Sequence, residues 1–286
     1  MEHAIFGKTG FNAVRLGFGG AVAGLKNYLQ KYDPADAQDA RNIRNALNRA
    51  LEKGINYFDT AAGYGGGASE RLFGDVLGDV DPSTLFLATK CGPCDADTLH
   101  KSVEKSLKNL RRDYIDLLQI HGSSYSDDSA QAILATGGML EAMEQLKRDG
   151  VIRFTGFTSE DTNGAVFDFI RSGRFDQMQI CYNLLFQHPY DPSRSFGSLP
   201  EAKKAGMATV SMRTATSGTF QKWNKMVRPD DTFDYTRALI QFTLSNPYID
   251  VVLVGMRNAS EVDVNIDILE DLAGRIDLKV LHERYV

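Results

Sequence analysis

Cysteine is scarce in this sequence, with three residues among 286. Three cysteines cannot build the disulfide framework that holds small secreted domains together. The first four residues, Met-Glu-His-Ala, provide neither a basic n-region nor an apolar h-region, so no signal peptide is indicated. Apolar runs such as residues 251–254 have the length of a strand and fall far short of the ~20 residues that span a membrane. We therefore expect a cytoplasmic protein without membrane contact.

Dense positive charge is also missing. The chain carries 32 Lys and Arg residues against 37 Asp and Glu residues, a formal net charge of -5 at pH 7. The basic cluster of Lys108, Arg111 and Arg112 is typical of the carboxyl end of a helix. Because binding to a phosphate backbone requires clustered cations, this pattern argues against a nucleic-acid partner.

Linkers and metal-ligand patterns are absent as well. No stretch is rich in proline, glycine and serine, so residues 1–286 are assigned to one domain. Apart from Cys91 and Cys94, the cysteines and the five histidines show no spacing typical of metal ligands. We predict no metal site.

Short apolar runs alternate with helical patterns from end to end. Eight runs have the length of β-strands: residues 14–18, 55–58, 85–88, 115–120, 151–157, 178–182, 208–212 and 251–254. Between them, apolar residues recur at three- and four-residue spacing, which indicates amphipathic helices. Eight such parallel units close naturally into an α/β fold of the (β/α)8 TIM-barrel type. An open doubly wound sheet is the alternative that periodicity leaves open.

Two segments extend this pattern. Residues 4–6 and 13–14 flank the turn formed by Gly7-Lys8-Thr9-Gly10, which predicts an N-terminal β-hairpin that closes the amino end of the barrel. Residues 213–231 are long for a loop between strand and helix, and they contain the single tryptophan, Trp223. Long loops in compact domains are usually functional or disordered.

Titratable residues follow three neighbouring strands where those strands end. Asp59 follows the second strand, with Tyr64 in the glycine-rich turn behind it; Lys90 follows the third strand, and His121 follows the fourth. Each residue taken alone could be a helix cap, a packed tyrosine or a structural histidine. Because barrel active sites lie at the carboxyl ends of the strands, the joint placement favours a catalytic group of four.

These four residue types suit the reduction of a carbonyl group. Hydride addition develops an alkoxide that needs a proton donor, and a tyrosine is a weak acid with an ordinary pKa of about 10. A neighbouring lysine ammonium is expected to lower the pKa of Tyr64, and an aspartate beside the lysine keeps it protonated. A histidine can hydrogen-bond the carbonyl oxygen and position it.

The same segments resemble the aldo-keto reductase family. Residues 56–65, Asn-Tyr-Phe-Asp-Thr-Ala-Ala-Gly-Tyr-Gly, look like its first signature, and Ser69-Glu70 resembles the start of the following helix. Thr89-Lys90 and residues 115–121 are similar to its lysine and histidine segments. The hairpin and residues 15–19 are similar too, so the resemblance spans nearly the whole chain.

The resemblance implies a reductase or dehydrogenase that transfers hydride between a nicotinamide cofactor and the carbonyl or alcohol of an aldehyde, ketone or sugar. Tyr64 would be the general acid, Lys90 and Asp59 would tune it, and His121 would orient the substrate. Histidine rather than glutamate is the family's choice for carbonyl reduction. The alternative is a relative of the channel β-subunits, a cofactor-sensing or partner-binding subunit with little turnover.

By the same resemblance, the cofactor would lie across the barrel mouth. The implied nicotinamide contacts are Thr158, Ser159, Gln179 and Tyr182, with Met212 and Arg213 in the turn where many members have a tyrosine. The implied adenosine-phosphate motif comprises Gly255, Arg257, Glu261 and Asn265, at a helix amino terminus. Arg257 favours NADP, whereas Glu261 could accept the 2′-hydroxyl of NAD; NADP is preferred, with NAD or dual use left open.

Three further hypotheses concern loops. Aromatic residues there are candidates for the substrate pocket: Tyr28, Tyr125, Phe220 and Trp223. Residues 63–68 fit the glycine pattern of a Rossmann turn, but they lie in the second unit of the pattern and lack its usual lead-in. Cys91-Gly92-Pro93-Cys94 is either a tight turn with two ordinary thiols or a redox-sensitive pair beside Lys90.

Overall fold

Eight parallel strands form a closed ring in the computed structural model, which describes residues 1–190 and 196–285. Each strand pairs with the next along the chain, and the last pairs with the first, so the (β/α)8 barrel is confirmed and the open sheet is excluded. The strands are β3 (Leu16–Gly19), β4 (Tyr57–Asp59), β5 (Phe86–Cys91), β6 (Ile115–Ile120), β7 (Ile152–Ser159), β8 (Gln177–Cys181), β9 (Ala208–Met212) and β10 (Val251–Gly255).

Several strands end later than the apolar runs predicted. β4, β5 and β7 continue into Asp59, Cys91 and Ser159, because the backbone ladder continues after the last apolar side chain. The predicted strand 14–18 is wrong at its start, since Val14 ends a hairpin strand. Arg15 breaks the run and donates to the backbone oxygens of Asn246 and Ile249 at 3.2 and 3.0 Å.

Helices cover the outside of the ring. They are α1 (Ala21–Gly24), α2 (Ala37–Glu52), α3 (Ala68–Leu77), α4 (Ala96–Leu110), α5 (Asp127–Leu134), α6 (Met139–Arg148), α7 (Gly164–Arg171), α8 (Ser198–Lys204), α9 (Thr219–Val227), α10 (Tyr235–Leu244), α11 (Ala259–Glu270) and α12 (Leu278–Tyr285). Side-chain caps begin many of them, as where Asp36 accepts from two amides at the start of α2. Within the described ranges, no helix is both long and apolar enough to cross a bilayer.

The predicted hairpin is present as β1 (His3–Ile5) and β2 (Asn12–Val14), joined through a 3₁₀ turn at Gly7–Thr9. Its Phe6 ring packs inside the ring of strands, 5.1 Å from both the Tyr57 and Phe86 rings. A side chain at Gly7, where φ is +48°, would collide with the backbone of Ala208. The hairpin therefore fills the amino end of the barrel.

Aspartates join neighbouring strands near the same end. At the start of β6, β8 and β10 the pairs are Asp116 with the Leu87 amide, Asp176 with the Thr155 amide and Asp250 with the Thr209 amide, each 2.9 Å. Each carboxylate also pairs with a cation: Arg153, Lys147 and Lys203 respectively. These contacts satisfy buried backbone donors and fix the end opposite the predicted site.

Candidate active site

Asp59 and Lys90 meet inside the barrel mouth. They end β4 and β5, both are buried, and the Lys90 ammonium donates to Asp59 Oδ1 and, at 2.7 Å, to the Thr60 carbonyl oxygen. Burial alone would lower the pKa of Lys90, but Asp59 and Tyr64 raise it above its ordinary value. Lys90 is therefore a fixed cation at neutral pH.

Tyr64 reaches this pair from the turn between β4 and α3. Gly65, Gly66 and Gly67 have φ values of +63°, +59° and +91°, a conformation that side chains rarely adopt and that lets the chain reverse here. The Tyr64 ring centre lies 5.2 Å from Lys90 Nζ, and its hydroxyl interacts with Lys90. Residues 63–68, which fit the glycine pattern of a Rossmann turn, therefore position Tyr64 at the mouth of a closed barrel.

The pKa of Tyr64 differs from the expectation. Lys90 lowers it as predicted, but burial acts more strongly in the other direction, so the pKa is raised above its ordinary value in the free protein. The prediction that the pKa of Tyr64 lies below its ordinary value is therefore wrong for the protein without ligand. The phenol is accordingly protonated at neutral pH, which is the form that a proton donor needs.

His121 stands on the other side of Tyr64. Its ring centre lies 5.4 Å from that of Tyr64 at an interplanar angle of 85°, and its backbone amide donates to the Cys91 carbonyl oxygen at 2.8 Å. Burial and the nearby Lys90 lower the pKa of His121 to about 4. The imidazole is therefore neutral at pH 7 and can donate one hydrogen bond.

Gln119 belongs to this group, although the sequence reasoning missed it. It is fully buried on β6, pairs in register with Lys90, and donates from Nε2 to Asp59 Oδ2 at 2.8 Å. The alternation of a strand was the available signal, because residue 119 must face the same side as residue 121. Asp59 is thus held on one oxygen by Lys90 and on the other by Gln119.

A cleft of about 320 Å³ opens above these residues. Asp59, Tyr64 and His121 line it, together with six of the residues predicted to contact cofactor or substrate: Tyr28, Thr158, Gln179, Met212, Arg213 and Gly255. Glu160, which was not predicted, lies at its rim and accepts from Arg213 Nη2 at 2.6 Å. The structure therefore brings nine of the eighteen predicted site residues to the wall of one cavity.

Ser159 and Tyr182 lie away from the cleft. Thr158, Gln179 and Cys181 face the barrel interior, so strand alternation turns Ser159 and Tyr182 outward. Tyr182 stacks on Phe242 at 5.7 Å in the core beneath the helices. Ser159 instead donates to the Asp161 carbonyl oxygen at 3.0 Å. Neither side chain lines the cleft, and their contacts with a cofactor stay a prediction.

Tyr125 and Phe220 also leave the cleft. Tyr125 is buried, packs 4.9 Å from the Phe169 ring and donates to the Thr158 carbonyl oxygen at 3.0 Å. Phe220 packs 5.2 Å from Tyr235. Both rings pack locally and neither lines the cleft, so their assignment to a substrate pocket stays a prediction. Trp223 lines a second cavity.

Arg257 lies where the cleft ends at the amino terminus of α11. Its side chain is 7% exposed, its guanidinium lies 5.3 Å from the Tyr32 ring centre, and its Nε and Nη2 find no acceptor among the described residues. The Glu261 side chain points towards the amino terminus of its own helix. Its oxygens accept hydrogen bonds from the Arg257 amide at 2.7 Å and from Asn258 Nδ2 at 3.1 Å. Asn265 is buried further along α11.

The cysteine pair is present as free thiols. The Cys91 and Cys94 sulfurs lie 3.7 Å apart, and burial raises the pKa of Cys94 to about 12. A high pKa makes Cys94 a weak nucleophile at neutral pH. The turn with two ordinary thiols therefore describes the reduced protein, and the redox-sensitive pair stays a hypothesis.

Residues 15–234 match the model of the Aldo/keto reductase family. The chain belongs to this family. It is 28% identical to L-galactose dehydrogenase of Arabidopsis thaliana over 304 residues, 95% of this chain and 89% of that protein. It is 33% identical to the uncharacterized oxidoreductase YqkF of Bacillus subtilis over 257 residues, 77% of this chain and 79% of that protein.

Solved aldo-keto reductases share the fold. AKR11C1 from Bacillus halodurans aligns with a TM-score of 0.77 at 23% identity, over 99% of this chain and 95% of that one. An aldo/keto reductase from Klebsiella pneumoniae in complex with NADP and acetate aligns with a TM-score of 0.73 at 20% identity, over 99% and 96%. As a member of this family, the chain is an oxidoreductase.

Proposed function

We propose that this aldo-keto reductase interconverts the carbonyl and alcohol forms of an aldehyde, ketone or sugar, using NADP and with Tyr64 as the general acid and base. The observation that carries the proposal is the position of the Tyr64 phenol between a fixed ammonium and a neutral imidazole at the floor of the cleft. The name of one relative, L-galactose dehydrogenase, supports sugars as one substrate class.

The residues divide the chemistry of proton transfer among them. When a reduced nicotinamide is bound in the cleft, it would supply the hydride that the carbonyl carbon receives. His121, neutral at pH 7, donates a hydrogen bond to the carbonyl oxygen and orients it. The Tyr64 hydroxyl gives its proton to the same oxygen, and the Lys90 ammonium stabilises the phenolate that remains. Asp59 holds Lys90 charged and in place.

The cleft contains groups that suit a nicotinamide amide. Gln179 Oε1 is buried and has no donor among the described residues, so it can accept an amide N–H. Thr158 lies on the neighbouring strand in register with Gln179. Met212 offers a polarizable, apolar surface where other members have a ring, and its sulfur lies 3.7 Å from Gln179 Nε2.

The preference for NADP over NAD rests on Arg257. A buried guanidinium with two unpaired nitrogens at a helix amino terminus suits a 2′-phosphate. Both Glu261 oxygens are engaged by the protein, which weakens the alternative in which that carboxylate accepts the 2′-hydroxyl of NAD.

The first prediction tests the acid. Tyr64→Phe keeps the ring but removes the proton donor, so kcat is expected to fall roughly 10²- to 10⁴-fold while the Kd for NADPH stays unchanged. Loss of NADPH absorbance with a panel of aldehydes, ketones and sugars measures the rate, and fluorescence titration measures Kd. Equal turnover in the variant contradicts the role of Tyr64; tight NADPH binding without turnover of any carbonyl supports the cofactor-sensing alternative.

The second prediction tests the cofactor. Arg257→Ala is expected to weaken NADPH binding about 10- to 100-fold and NADH binding far less, because it removes a charge-assisted contact to phosphate. Calorimetric titration with both cofactors measures this without turnover. Arg44→Ala, which removes a partly exposed arginine paired with Asp75, is the control. Tighter binding of NADH than NADPH by the wild-type protein contradicts the preference.

A further inference from the structure

A second cavity of about 450 Å³ lies beside the catalytic cleft on the same face of the barrel. Its walls come from the segments that follow β7, β8 and β9. Leu185 and Phe186 form one side, and Trp223 on α9 contributes to another. The volume is within the range of small-molecule sites, which are usually apolar and aromatic-lined.

The two cavities meet at one ion pair. Glu160 and Arg213 line both of them, and they pair with each other at 2.6 Å. Their side chains are 35% and 39% exposed, so the pair is partly screened and can separate at little cost. Arg213 is further positioned by Ser217 at 3.4 Å. A ligand that extends from Tyr64 past this pair enters the second cavity.

The walls of the second cavity are unusually exposed for apolar residues. Leu185, Phe186 and Trp223 are 44%, 46% and 58% exposed, and α9 buries none of its residues. Enclosing these side chains around an apolar group is favourable because it removes their surface from water. The indole and phenyl rings favour a planar aromatic partner. Glu160 and Asp161 outnumber Arg213 among the lining residues by one charge, which disfavours an anionic partner.

We propose that the second cavity binds the aromatic ring of an uncharged, aryl-substituted carbonyl substrate whose carbonyl group reaches Tyr64 and His121. This inference rests on the proposed function and specifies its substrate class. Glu160 and Arg213 mark the passage between the reacting group and the ring, so substrates with a short chain between carbonyl and ring are expected to be favoured.

The single tryptophan makes binding directly observable. Because Trp223 is the only tryptophan in the chain, its fluorescence reports on this cavity alone. Titration of the cofactor-free protein with 3-phenylpropan-1-ol, an unreactive product-like probe, is expected to give a saturable change, and propan-1-ol is expected to give none. Phe186→Ala should weaken the response about five- to tenfold, since it removes one aromatic wall. Met226→Ala alters an exposed residue of the same helix outside the cavity wall and should leave the response unchanged.

Measurements of turnover distinguish this inference from the proposed function on which it rests. With NADPH, Phe186→Ala is expected to lower the ratio of kcat/KM for 3-phenylpropanal to that for propanal by a similar factor. No saturable fluorescence change, or an equal response in Phe186→Ala, overturns the inference even if aldehydes are reduced. Ring binding without reduction of any aldehyde overturns the proposed function and leaves the ligand class of the cavity supported.

Discussion

The residues at the barrel mouth act together because each one sets the protonation of its neighbour. Asp59 raises the pKa of Lys90, and Lys90 in turn opposes the effect of burial on Tyr64. Lys90 also contributes to the low pKa of His121. Burial therefore keeps the Tyr64 phenol protonated against the opposing effect of Lys90, whereas burial and Lys90 together keep the His121 imidazole neutral.

The third prediction concerns Gln119, which does not touch the reacting atoms in the proposed mechanism. Gln119→Leu removes the donor to Asp59 Oδ2, and this hydrogen bond lowers the pKa of Asp59. Asp59 supports Lys90 only while ionised, so losing the bond should move the acid limb of the kcat profile to higher pH. We expect about a tenfold loss of kcat at pH 7, in proportion to one buried hydrogen bond to a charged group.

The pH profile separates positioning from simple structural damage. A variant that only destabilises the barrel would lower kcat equally at every pH while it remains folded, and would leave the acid limb where it was. Gln145→Leu, at an exposed glutamine, is the control. An unmoved limb in Gln119→Leu contradicts the role assigned to this residue.

The positions of the candidate catalytic residues were predictable because strand ends are easy to locate in a barrel sequence. Asp59, Lys90 and His121 follow apolar runs, so topology alone brings them together. Thr158 and Ser159 are adjacent, and Gln179 and Tyr182 are three residues apart, so in each pair strand alternation directs the side chains to opposite sides, which the sequence reasoning did not apply. The pKa of Tyr64 depends on its burial, a property that spacing does not convey.

Secondary-structure elements are joined at the amino end of the barrel by the aspartate contacts between strands. Asp176 illustrates them, since it is 5% exposed and accepts from the Thr155 amide and from Lys147 Nζ at 2.9 and 2.7 Å. The contact links β7 to the start of β8 and also holds α6. A short polar side chain at a strand start thereby ties three elements together.

The fourth prediction removes this contact. Asp176→Ala leaves the Thr155 amide buried without its partner, so the free energy of unfolding is expected to fall by about 2–4 kcal/mol. Asp176→Asn keeps an acceptor and should lose less. Urea unfolding measures both, with Asp79→Ala as the control because Asp79 pairs with Arg111 at the surface. Equal stability of the wild type and Asp176→Ala contradicts the argument.

These contacts were outside the reach of the sequence reasoning, although the elements they join were largely predicted. Runs 115–120 and 208–212 coincide with β6 and β9, although each includes polar residues: Asp116 and Gln119 in the first, Thr209 and Ser211 in the second. Segment 213–231 was treated as a long loop, yet residues 219–227 form α9. Phe220, Trp223 and Val227 recur at three- and four-residue spacing, a helical pattern that the sequence reasoning overlooked.

Across the whole molecule, the two ends of the barrel have separate tasks. The carboxyl end holds the cleft, while Phe6 and the aspartates occupy the amino end. Because the two ends are separate, packing changes at the amino end need not disturb ligand binding at the carboxyl end.

The fifth prediction follows from that separation. Phe6→Ala empties a fully buried position beside Tyr57 and Phe86, so the free energy of unfolding is expected to fall by about 3–5 kcal/mol. The Kd for NADPH should change less than twofold at a temperature where the variant is folded. Ile5→Ala, at a 60% exposed neighbour, is the matched control. A large loss of NADPH affinity in folded Phe6→Ala contradicts the separation.

The pairing of β10 with β3 has a consequence for how the chain is made. Leu16 meets Val252 in the ladder, so β3 must wait for its partner until β10 has been synthesised. A nascent chain emerging from the ribosome exposes two unpaired strand edges until that meeting takes place. Because these segments are far apart in the chain, we expect the pairing that closes the ring to be a slow last step of folding. Incomplete chains should aggregate most readily just before this pairing forms.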